Sequence, residues 1–188
     1  KLNTITKTLY LLRKKKYLKK QFFKINIHKN IPHGSGLGGG SSNAASLFNF
    51  FNSKMHLKLS KKQILKFATR IGFDVPISLE RKNSYLNGKT NEIKRISKKF
   101  RMCILIVYPN TICSTKKIYR NYKTSKFSKP KTNFLINNKT QLINFLKKEN
   151  NDLETIVTKF YPKIKTLINL IGNQKGCYFS RITGSGSA

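Results

Sequence analysis

Pro32-His33-Gly34-Ser35-Gly36-Leu37-Gly38-Gly39-Gly40-Ser41-Ser42-Asn43-Ala44-Ala45 joins a glycine-rich loop directly to residues that favour a helix. Glycines let backbone N–H groups come close to a polyanion, and a helix start adds unpaired donors and about half a positive charge. The combination reads as a phosphate site. Upstream, Phe23, Ile25 and Ile27 alternate with Lys24, Asn26 and His28, which predicts a half-buried strand running into the loop. Downstream, residues Ser41 to Phe51 supply a helix, with the small Ala44 and Ala45 where close packing is possible. A flexible linker does not normally sit flush between a strand and a helix.

Two common phosphate loops fail on context. Gly34-x-Gly36-x-x-Gly39 has the spacing of the dinucleotide fingerprint, but that site wants a carboxylate about 20 residues on, and the first acidic residue here is Asp74. A P-loop needs a lysine between glycine and hydroxyl, and Gly40-Ser41 has none.

Outward from the loop, Ile5, Leu9 and Leu12 have helical spacing within Leu2 to Leu12, and the basic run Arg13 to Lys20, broken by Tyr17 and Leu18, marks a helix end and its solvated loop. Ser60 is the expected N-cap of a helix to about Arg70. Ile71-Gly72-Phe73-Asp74-Val75-Pro76 is expected as a turn, with Pro76 pushing Val75 into an extended conformation. Met102 to Tyr108 is the longest apolar run and is expected as a buried strand. Lys123 to Asn138 is a polar connection. Helices are expected over Thr140 to Lys148, Asp152 to Phe160 and Pro162 to Ile171, the last with proline in its first turn. Strands before and helices after suggest an α+β sandwich.

The 188 residues suffice for one domain or for part of a two-lobed protein. The net charge of +33 invites a reading as a nucleic-acid or anionic-membrane binder. Yet lysine is spread from Lys1 to Lys175 among abundant Asn, Ile, Phe and Tyr, which is the drift of an AT-rich coding genome rather than one binding stripe. Cys103, Cys113 and Cys177 form no pair at metal or redox spacing and read as buried reduced thiols, and His28, His33 and His56 make no ligand set. No metal site is argued from side chains. The chain contains neither a run of about 18 apolar residues nor an apolar signal core near Lys1, so a soluble intracellular protein is expected.

The stretch Pro32-x-Gly34-x-Gly36-Leu37-Gly38-Gly39-Gly40-Ser41-Ser42-Asn43-Ala44-Ala45 resembles the second motif of the GHMP kinases, in the branch whose substrate is 4-diphosphocytidyl-2-C-methyl-D-erythritol. In the family's order follow Gly72-Phe73-Asp74-Val75-Pro76, similar to its Gly-x-Asp-Val-Pro segment, and Arg181-Ile182-Thr183-Gly184-Ser185-Gly186-Ser187-Ala188, similar to its third glycine motif. Asn151-Asp152-Leu153-Glu154 resembles a helix start of the same branch. The resemblance implies a two-lobed GHMP sandwich, with residues 1–100 the remainder of the ATP-binding N-terminal lobe and 101–188 the C-terminal lobe. The family's first motif, which supplies an active-site lysine, is not found, and both ends are expected to be cut: first strands and a last strand would be missing, leaving this chain alone poor or inactive as a kinase.

What the resemblance implies about residues is specific. Pro32, Gly34, Gly36, Leu37, Gly38, Gly39, Gly40, Ser41, Ser42 and Asn43 would hold the ATP phosphates, with Thr183, Gly184 and Gly186 closing the site; helix capping is the plain alternative for the serines. Asp74 would be the catalytic base that takes the proton of the substrate hydroxyl, or else a turn or cap carboxylate. Thr115 and Tyr119 would contact the small-molecule substrate, Tyr119 stacking on cytosine, or else merely pack a helix. Mg2+ would accompany ATP. The implied product is the 2-phosphate of an isoprenoid precursor, made in a bacterial cytoplasm or plastid stroma. A GHMP kinase for homoserine or mevalonate, and a basic nucleic-acid-binding module, are the competing readings.

Overall fold

A computed structural model of the protein describes residues 3–87, 92–123 and 136–188. The chain forms two compact units. The first comprises Lys1–His28 with Gly38–Ser97, and the second Lys29–Leu37 with Lys98–Ala188, so the glycine loop passes from one to the other between Leu37 and Gly38.

In the first unit, α1 (Thr4–Lys14), α2 (Gly39–Lys54), α3 (Lys61–Ile71) and the single turn α4 (Val75–Ser78) precede a hairpin of β1 (Asn83–Asn87) and β2 (Glu92–Ile96). Asn3 caps α1 by accepting from Thr6 N–H, and Ser60 with Gln63 forms a reciprocal capping box on α3. The core gathers Leu12, Ala44, Ala45, Phe48, Phe51, Ile64, Phe67, Ala68 and Val75. Ala44 and Ala45, at most 1% exposed, are the close-packing positions of α2. The hairpin is antiparallel, with Ser84 opposite Arg95 and Asn87 opposite Glu92.

The second unit contains α5 (Thr115–Asn121), α6 (Lys139–Lys148), α7 (Glu154–Phe160) and α8 (Pro162–Gly172), and its core joins Ile118 of α5, Val157 of α7 and Ile164 of α8 with Cys113, Leu153 and Ile182. Pro162 opens α8, where its missing N–H costs nothing.

Several expectations are corrected. The segment Phe23 to Ile27 is not a strand: no described segment pairs with it, and Ile25 and Ile27 are exposed. Period-two alternation specifies an extended amphipathic segment, but a strand exists only with a ladder partner. For the same reason Met102 to Tyr108 is neither strand nor buried, with Ile104 74% and Leu105 76% exposed. Val75 is helical rather than extended. The break falls three residues earlier, at Gly72, and Pro76 occupies the first turn of α4, where no intrahelical N–H is lost. Helix α7 begins at Glu154 rather than Asp152, and Cys103 is exposed while Cys113 is buried. Burial pushes the Cys113 thiol pKa up. Leu2 and most of the Lys123 to Asn138 connection, including Pro130, lie outside the described residues.

Candidate functional site

Gly38 begins α2 in the left-handed conformation, φ +71°, and offers no side-chain cap. The first helical bond runs from Ser42 N–H to Gly38 O at 2.9 Å, so the N–H groups of Gly39, Gly40 and Ser41 have no acceptor among the described residues. Neither Ser41 nor Ser42 is the cap; both sit further along the first turn. Ser41 and Asn43 are half-buried and Ser42 is exposed. Thr4 of α1 donates to Gly40 O at 2.7 Å, which ties the loop end to the neighbouring helix.

Asp74 belongs to the same unit. It stands at the cap position of α4, yet its carboxylate caps nothing and bonds to no described residue. The residue is exposed, as is Phe73, while the adjoining Val75 and Pro76 are buried and hold the turn.

The second unit interlocks Lys29–Leu37 with the end of the chain. Gly34, Gly36 and Gly184 all have positive φ. A Cβ at Gly36 would overlap Thr183 O, and one at Gly186 would overlap the Ser35 backbone. At Gly34 a Cβ would meet Ile112 at 2.9 Å. Ala188 N–H donates to Ser35 O at 3.1 Å, Ser187 Oγ to Thr111 O, and Ser185 Oγ to Thr115 Oγ1 at 3.1 Å. Pro32 and Leu37 are half-buried on the same stretch. Gly34, Gly36, Thr183, Gly184, Gly186 and Thr115 are thereby brought together, and glycine is required because backbone meets backbone.

Asn151, in the turn just before α7, fixes the third glycine motif, donating to Ile182 O at 3.2 Å and Gly184 O at 2.8 Å while accepting from Leu153 N–H. Glu154 accepts from Ile182 N–H at 3.0 Å. Arg181 donates to Glu149 O at 2.5 Å and to Leu146 O, satisfying carbonyls at the end of α6. Burial lowers the pKa of its guanidinium, and the Glu154 carboxylate acts in the opposite sense. These supports were missed as functional in the sequence reading; the helix-start motif beginning at Asn151 was the available signal.

Tyr119 lies 59% exposed, while its neighbour Ile118 is the residue that packs α5 into the core. Tyr119 lines an open cleft of about 620 Å³ together with Tyr122, Asp152, Arg181, Thr183 and Gly184. Tyr122 OH donates to Asp152 at 3.3 Å in that cleft. Among the described residues no three His, Cys, Asp or Glu side chains cluster as a metal site.

Residues 3–81 match the family of the GHMP kinases N terminal domain. The chain is 39% identical to a 4-diphosphocytidyl-2-C-methyl-D-erythritol kinase of Pelagibacter ubique over its full length and 66% of that relative. This chain belongs to the GHMP kinases. A kinase of the same description from Anaplasma phagocytophilum is 32% identical over 87% of the chain and 54% of its own length. A crystal structure of 4-(cytidine 5'-diphospho)-2C-methyl-D-erythritol kinase superposes with a TM-score of 0.53 at 22% identity, covering 76% of this chain and 52% of the other. The fold is accordingly that of a GHMP kinase, an α+β architecture represented in part. The chain spans between about half and two thirds of the relatives it matches. Among the described residues, no helix of this GHMP kinase chain is long and apolar enough to cross a membrane.

Proposed function

We propose that the protein transfers the γ-phosphate of ATP to the 2-hydroxyl of 4-diphosphocytidyl-2-C-methyl-D-erythritol, with residues 1–100 and 101–188 contributing to the N-terminal and C-terminal GHMP lobes. The observation that carries this reading is the glycine-capped start of α2, whose N–H groups at Gly39, Gly40 and Ser41 have no acceptor among the described residues. Donors left open in this way suit phosphate oxygens, which meet the helix dipole at the same place. A Cβ at Gly38 would meet nothing within 4 Å, so the crest of the loop is open to a ligand.

In this reading Pro32, Gly34 and Gly36 to Asn43 hold the ATP phosphates, and Thr183, Gly184 and Gly186 close the phosphate side. Phosphoryl transfer is mostly positioning and charge stabilisation. The Asp74 carboxylate, exposed and uncommitted to any described residue, accepts the proton of the attacking hydroxyl. Thr115 orients the substrate, and the exposed ring of Tyr119 stacks on its cytosine. Mg2+ bound with ATP would neutralise phosphate charge. The hydroxyls of Ser41 and Ser42 are hard oxygen donors of the right kind for it, and a magnesium ion needs few protein ligands. A cytoplasmic or plastid-stromal location is part of the same proposal.

ADP release measured in the full-length protein with ATP and the cytidyl erythritol substrate tests the reading, with Asp74→Asn beside the wild type. Turnover should fall by about 10²–10⁴-fold in the variant while ATP binding stays within a factor of a few. Turnover on homoserine or mevalonate instead, or an unaffected Asp74→Asn enzyme, would sink it.

A further inference from the structure

Arg95 stands on β2, opposite Ser84 in the hairpin register. Its Nη1 donates to Ile77 O at 2.8 Å and to Ser84 Oγ at 2.6 Å, and its Nη2 to Pro76 O at 2.7 Å. Its Nε lies 3.7 Å from Glu80 Oε1, whose partner oxygen is 3.4 Å from Lys82 Nζ. Pro76 and Ile77 are the middle residues of α4, the four-residue turn that begins directly after Asp74.

One turn of helix does not hold itself, because fixing its dihedrals costs more than its few hydrogen bonds return. The bonds at its far end are long, with Ser78 N–H to Asp74 O and Leu79 N–H to Pro76 O both at 3.4 Å. Three things therefore set its orientation, one of them Asn49 of α2, which donates to the carbonyl of Leu79 at the end of the turn at 3.1 Å. Val75 and Pro76 are buried against the core of the first unit, and the Arg95 fork binds two consecutive carbonyls. Burial holds the inner face of the turn and Asn49 its end, and the fork holds its two middle carbonyls from β2. Lysine can substitute only in part, since a single ammonium lacks the planar, spaced donors needed to reach both carbonyls and Ser84 together.

We infer that Arg95 is the positioning residue for Asp74. It clamps the carbonyls of Pro76 and Ile77 and so fixes the direction in which α4 presents the Asp74 carboxylate. The inference rests on the reading of Asp74 as the base. Arg95 acts through the backbone of α4, and the Asp74 carboxylate, which bonds to no described side chain, takes its aim from that backbone.

The test compares wild type, Arg95→Ala, Arg95→Lys, Asp74→Asn and the double variant Arg95→Ala/Asp74→Asn in the full-length protein. Measured are kcat, both KM values with ATP and the cytidyl erythritol substrate, and amide exchange across residues 75–79. Arg95→Ala should lower kcat by about 10- to 100-fold with both KM values nearly unchanged, as a misaimed group would. It should cost nothing further in the Asp74→Asn background, because the two act as one unit. Protection at Ser78 and Leu79 should fall while that of α2 is kept. Arg95→Lys should lie between, and it carries the test if the alanine variant does not fold. An unchanged kcat in both Arg95 variants, or penalties that multiply in the double variant, overturns the inference. An Asp74→Asn enzyme with full turnover removes the base reading and this inference with it, and the exchange data then report the clamp separately.

Discussion

Gly36 and Gly38 share a left-handed backbone and differ in what surrounds them. At Gly36, φ is +84° and a Cβ would overlap the carbonyl of Thr183; at Gly38, φ is +71° and the space is open. Gly38→Ala should therefore cost only the backbone strain, about 1–2 kcal/mol, whereas Gly36→Ala should cost more because the third glycine motif has to move. Denaturant unfolding of the two variants checks the order, and equal losses would contradict the interlock of residues 34–36 with 183–188. At this scale the sequence was informative where chemistry repeats in a pattern. Pro32 to Asn43 and Thr183 to Gly186 were legible because glycines and hydroxyls recur there. Asn151, Glu154 and Arg95 were not legible as supports, since the carbonyls and the amide they hold in other elements lie 18 to 33 residues away.

Among elements, the helices other than α4 and α5 were readable and the strands were not. A helix satisfies its own backbone, so Ser60 with Gln63, or Pro162, announces it locally. A strand depends on a partner that the local pattern does not contain. Thus Phe23 to Ile27 and Met102 to Tyr108 have the composition of strands without a ladder, while the polar hairpin of β1 and β2 forms from residues of modest β-propensity. The tie between α7 and the third glycine motif belongs to this scale too. Asn151→Ala removes two donors to carbonyls of residues 182 and 184 and the acceptor for Leu153 N–H. It should destabilise the chain by about 1–3 kcal/mol and loosen amide protection at Ile182 and Thr183 more than in α8. Protection lost evenly across the second unit would point instead to global destabilisation.

For the whole molecule, charge is the dominant physical fact. The chain carries 39 lysines and arginines against 6 acidic residues, and the described ion pairs both involve Glu80. With so few carboxylates, repulsion among the cations outweighs attraction, and the folded state concentrates that repulsion relative to the unfolded chain. Salt shortens the reach of these interactions, to about 10 Å at 0.1 M and about 3 Å at 1 M. Added sodium chloride should accordingly raise the unfolding midpoint, the opposite of a protein stabilised by exposed ion pairs, which salt weakens. The same screening should strip nonspecific polynucleotide from the protein, with a log–log slope of about −0.9 per phosphate contacted on duplex DNA. The two effects share one cause, so they should appear over the same range of ionic strength. A midpoint that stays flat or falls between low and moderate salt would mean that the cations are compensated in a way the described residues do not provide. Polynucleotide binding that survives that salt range would in turn revive the nucleic-acid-binding reading, because only contacts beyond diffuse charge could sustain it.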